Sequence, residues 1–79
     1  MSEVDKMSKQ TIKFGENEGV WTNRKGQLHR TDGPAIINQD GSRHWYVNNY
    51  KVTTWKELQE EAGLSDEEIL MVALQWGYI

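Results

Sequence analysis

The chain has no cysteine, one proline and no apolar run approaching the roughly 18 residues that span a bilayer. Without cysteine there is no disulfide, and only two histidines, His29 and His44, are present to nucleate a structural metal site. The opening residues, MSEVDKMSKQ, lack the apolar core of a signal peptide, so the chain reads as a cytoplasmic protein with no membrane contact. Charge of one sign is also lacking. The net value is −3 and aromatics make up 10% of 79 residues, a composition that excludes a disordered chain. A domain this short buries only about 60% of the surface its unfolded form exposes. Its stability must come from packing, and four Trp and three Tyr are the source, each able to bury roughly 150–250 Å².

The small net charge hides two halves of opposite sign. Residues 1–52 carry eight Lys/Arg against six Asp/Glu, whereas residues 53–79 carry one Lys against six Asp/Glu. The patterning changes at the same point. Up to Val52, glycines recur between short β-branched and aromatic runs, and beyond Thr53 the apolar spacing becomes helical. Neither half buries a core alone, so strands and helices belong to one α+β domain. Its expected extent is 11–79, with a β-meander over 11–52, two helices over 53–79 and a flexible arm over 1–10. Candidate strand segments are 11–14, 20–23, 27–30, 35–38, 42–47 and 50–52, and the expected sheet is an antiparallel meander of about four to five short strands. Asp40-Gly41 is a hairpin signal, and Asn48-Asn49 makes a tight turn because Asn tolerates the left-handed region. Alternation along 42–47 puts Trp45 and Val47 on the core face.

In the back half, Thr54 with Glu57 and Ser65 with Glu68 fit the capping box, and Gly63 and Gly77 stand where each helix stops. The helices are expected over 55–62 and 66–76. The first turns Trp55, Leu58 and Ala62 inward; the second carries a full stripe of Ile69, Val72, Ala73 and Trp76. Leu70, Met71 and Leu74 extend apolar character around the second helix, which is therefore mostly buried or presents an apolar edge to a partner.

Trp21 and Leu28 recur 24 residues later as Trp45 and Val52, an internal repeat that ends where the helices begin. Residues 20–49, with Trp21, Asn23, Gly26, Leu28, His29, Arg30, Asp32, Gly33, Pro34 and Ala35, then Asp40-Gly41, Trp45-Tyr46 and Asn48-Asn49, carry a recurrent pattern. They resemble small phage and prophage proteins whose consensus runs W-x-N-G-x-L-H-R-x-D-G-P-A, then D-G and W-Y-x-N-G. Asn49 departs from it, standing where the pattern has Gly. The resemblance implies stacked β-hairpins related to MORN-like repeats and a phage origin, and it implies no chemistry. Residues 58–73 also look like the helix-turn-helix of bacterial repressors, with Ala62, Gly63 and Leu64 in the turn. The would-be recognition helix, however, opens with Asp66, Glu67 and Glu68 and contains no Lys or Arg, which opposes phosphate binding.

Four constellations are candidates for function. His29, Arg30 and Asp32, with Gly33 and Pro34, read as a turn-structuring motif, the sharper alternative being a general base with an orienting carboxylate or an anion-binding turn. His29, His44, Asp32 and Asp40 do not have zinc-ligand spacing, and no serine stands in a nucleophile elbow, so neither a metal, a cofactor nor catalysis is expected. Arg24, Lys25, Arg30 and Arg43 near Trp21, Trp45 and Tyr46 hold the pieces of a nucleic-acid surface on the sheet, the second-ranked function. The leading expectation is a protein-binding module. Trp55, Glu60, Glu61, Asp66, Glu67, Glu68, Trp76 and Tyr78 would form an acidic surface with aromatic anchors for a basic host or phage protein, and the second helix offers a route to self-association.

Overall fold

Alternation in the front half becomes one five-stranded antiparallel sheet whose spatial order follows the chain. The strands are β1 (Lys9–Gly15), β2 (Glu18–Thr22), β3 (Ile36–Ile37), β4 (Arg43–Val47) and β5 (Tyr50–Val52), followed by helices α1 (Trp55–Ala62) and α2 (Asp66–Trp76). These come from a computed structural model that describes residues 9–15 and 18–77. The fold is the α+β meander with a C-terminal helical hairpin that the patterning demands.

The strands keep their expected order with shifted ends, and two differences matter most. Lys9 and Gln10, expected in the arm, belong to β1, where they pair with Thr22 and Trp21. The Gln10 side-chain amide donates to the Glu18 carbonyl and helps hold them there. The rest of the expected arm lies outside the described residues. The expected strand over 27–30 is reduced to a single bridge between Thr22 and Leu28. Its backbone is shared between two neighbours instead of joining one ladder. His29 N donates to Trp21 O at 3.1 Å, whereas Arg30 N donates to Tyr46 O at 3.0 Å and Leu28 O accepts from Asn49 N at 2.7 Å. The segment thus ties β2 to the β4–β5 hairpin. This also modifies the repeat: Trp45 pairs with Val52, whereas Leu28 pairs one residue past Trp21, with Thr22.

The turns follow their residue chemistry. Asp40 Oδ1 accepts from the Ser42 amide and hydroxyl at 2.9 and 2.8 Å, closing the turn before β4. Asn48 and Asn49 both adopt positive φ, 49° and 71°, the left-handed region that Asn tolerates.

Trp45 and Val47 are buried at 3% and 1% exposure and meet Val52, Leu58 and Val72 in the core. Trp55, Ala62, Leu64, Ile69 and Trp76 pack around them. The Trp55 and Trp76 rings both meet Trp45 edge-on, with centroids 5.2 and 6.1 Å away. Such pairs add about 0.5–1.5 kcal/mol each beyond the area they bury.

Helix ends are set locally. Ser65 and Glu68 form the reciprocal box: Glu68 N donates to Ser65 Oγ at 3.1 Å and Ser65 N to Glu68 Oε1 at 2.8 Å. At α1, Thr54 Oγ1 accepts from Glu57 N, but the Glu57 carboxylate reaches one residue further back, to the amide and hydroxyl of Thr53 at 2.8 Å. Gly63 ends α1 in the left-handed region, φ 69° and ψ 35°.

The two Thr53 bonds hold the Glu57 carboxyl below the usual carboxylate range, the backbone bond most strongly. A carboxyl lowered in the folded state contributes stability above its unfolded value and loses it as the pH falls through the folded one. Acid titration of thermal stability is therefore expected to flatten in Glu57→Gln below the usual carboxylate pKa. Parallel acid profiles for the two proteins contradict this role of Glu57.

Candidate functional site

The segment from His29 to Ala35 is a brace. Thr31, Gly33, Pro34 and Ala35 are buried, and His29 is 1% exposed with Nδ1 accepting the Asn48 amide at 3.0 Å. That ring nitrogen is engaged by the main chain of the β4–β5 turn, so His29 helps to pin the turn. The Arg30 side chain, 14% exposed, donates from Nε to Asp32 Oδ1 at 2.9 Å and from Nη1 to Pro34 O at 3.3 Å. Its guanidinium carbon lies 4.1 Å from the Trp21 ring centroid and 5.5 Å from that of Trp76. Asp32 is largely in solvent, so its ion pair with Arg30 contributes little; the contact with two indole faces is the stronger interaction, about 0.5–2 kcal/mol per ring. Asp32 acts through its main chain as well, because Trp76 Nε1 donates to Asp32 O at 2.8 Å. The motif, read from the sequence as a self-contained turn, is a socket for a side chain from α2.

Arg43 completes the socket from β4, with its guanidinium carbon 5.4 Å from the Trp76 centroid and Nη1 donating to Trp76 O at 3.1 Å. Two of the four sheet cations grouped as a nucleic-acid surface thus face the same indole. Trp45, counted as a stacking platform, is buried, and Trp21 lies against Arg30. Arg24 and Lys25 are exposed in the turn after β2. Among the described residues, no group of three or more His, Asp or Glu side chains converges to hold a metal.

The acidic set occupies the helical hairpin. Glu60, Glu61, Asp66, Glu67 and Glu68 are all exposed. Glu68 caps α2, and Asp66 accepts from Gln59 Nε2 at 2.7 Å. None is paired with a cation among the described residues. Trp55 and Trp76, expected beside them as anchors, are half-buried against Trp45. Tyr78 lies outside the described residues.

Among the described residues of the helical hairpin, the large apolar side chains most exposed are not aromatic. Leu70, Met71 and Leu74 are 57%, 66% and 72% exposed. At about 100° per residue, Glu67, Leu70, Met71 and Leu74 form an i, i+3, i+4, i+7 row on the side of α2 opposite Ile69, Val72, Ala73 and Trp76. The helix has two apolar faces, one on the core and one outside. A shallow groove of about 450 Å³, lined by Glu67, Glu68, Leu70 and Met71, opens along the outer one. In the sequence this row reads as an extension of the inner stripe; its spacing is the signal that it forms a separate face.

Two substitutions test the brace in urea unfolding. A Cβ on Gly33 would stand 2.7 Å from Trp76 Cζ2 and 2.8 Å from Arg30 Cζ, so Gly33→Ala is expected to cost about 1–3 kcal/mol through overpacking. Trp76→Phe removes the Nε1 bond to Asp32 and should cost about 1 kcal/mol or more. Because Phe also vacates the colliding position, the Gly33→Ala penalty should shrink in that background; an undiminished penalty contradicts the socket. No family model, no curated protein and no solved structure matches the chain.

Proposed function

We propose that the chain is a small interaction module that binds and occludes another protein through its helical hairpin, acting by binding rather than catalysis. The observation that carries this reading is the outer side of α2, where three large apolar side chains stand in solvent beside carboxylates that pair with no cation among the described residues. Exposed apolar side chains grouped on one element mark an interaction surface more often than scattered ones do. The acidic surround selects a basic partner and speeds its approach. The hairpin pattern shared with small phage and prophage proteins supports a phage-encoded protein related to MORN-like repeats, working in the host cytoplasm on a host or phage target. The sheet face lends less support to nucleic acid, because Arg30 and Arg43 are engaged with Trp76.

Affinity capture from a bacterial lysate with mass-spectrometric readout tests the reading. The native chain is expected to retain a basic protein that Glu60→Lys, Glu61→Lys and Glu67→Lys together release, with Glu68 left in place because it caps α2. Retention of nothing by the native chain, or equal retention by the triple variant, overturns it.

A further inference from the structure

We infer that the outer face of α2, with the shallow groove along it, docks an amphipathic basic helix, Leu70, Met71 and Leu74 taking its apolar row and Glu67 and Glu68 its cationic end. The inference rests on the interaction-module reading and names the chemistry of the partner. The row is the kind of apolar stripe by which one amphipathic helix packs along another, with anchors at i, i+3 or i+4 and i+7. α2 has eleven residues, about 16 Å of helix, enough to meet two to three turns of a partner. Met71 at the centre of the row supplies an adaptable, polarizable contact.

The charge pattern decides between occupants. The carboxylates stand at the N-terminal end of α2, where Asp66, Glu67 and Glu68 fill the first turn, and the last turn holds no basic residue. The complementary helix is therefore apolar along its length and cationic at the end that meets Glu67 and Glu68. A second copy of this chain brings another acidic hairpin, in which Lys56 is the one cation of residues 53–77, so it offers little to pair with these carboxylates. An anionic lipid surface repels them, and α2 has no Lys or Arg to anchor in headgroups.

The experiment titrates isotope-labelled protein with an amphipathic leucine–lysine peptide of about five helical turns and with its leucine–glutamate counterpart. The leucine–lysine peptide should bind and shift the amide resonances of residues 67–74, and the leucine–glutamate peptide should not. Leu70→Gln with Leu74→Gln should weaken binding at least about tenfold while leaving the thermal midpoint unchanged, because both side chains stand in solvent. Undiminished binding by that variant, or shifts confined to another surface, overturns the groove. If that binding is instead abolished by the triple Glu→Lys variant, the groove fails while the acidic-surface reading stands. Sedimentation of the native chain as a dimer that the glutamine variant dissociates also overturns it, by assigning the face to a second copy.

Discussion

The junction at Trp76 is the interaction on which the rest of the molecule depends. The chain has no disulfide to hold its helices against the sheet, and its buried core centres on five side chains. Docking α2 therefore relies on specific contacts around one indole. Trp45 meets it edge-on, the guanidinium groups of Arg30 and Arg43 stand over it, and the Asp32 carbonyl takes its N–H. Through Arg30 the same junction reaches Trp21 on β2, and through the Arg30 amide it reaches β4. One side chain near the end of the described chain thus closes a circuit through β2, the 29–35 loop, β4 and α2.

That circuit explains why the two sides of the helical hairpin differ. Inward, the aromatic rings and the sheet cations satisfy one another. Outward, what remains is aliphatic surface and carboxylate.

Features set by near neighbours along the chain are legible in the sequence. Both helix spans, the Ser65–Glu68 box and the Asn48-Asn49 turn follow from caps and left-handed preferences that act over a few residues. The inward choice of Trp45 and Val47 follows from alternation. Features set by distant partners are not legible there. The 27–30 segment has the composition of a strand, but its hydrogen bonds divide between Trp21 and Tyr46. Arg30 and Asp32 read as a local turn because nothing in their spacing reveals an indole 44 residues beyond Asp32. The inward placing of Trp55 and Trp76 is legible in the helical spacing, but their common partner Trp45 is not. The outer row of α2 lies between these cases, its spacing legible and its exposure decided only by which face the core claims.

The central claim, that the 29–35 loop and α2 form one clamp through Arg30 and Trp76, is tested most directly by a double-mutant cycle. Arg30→Met keeps the apolar stem and removes the guanidinium, and Trp76→Leu removes the ring. Equilibrium unfolding of the native, single and double variants should give a coupling energy of about 0.5–2 kcal/mol, the double variant losing less than the singles combined. Additive losses, with coupling indistinguishable from zero, would show that the two side chains stabilise the fold independently and contradict the clamp.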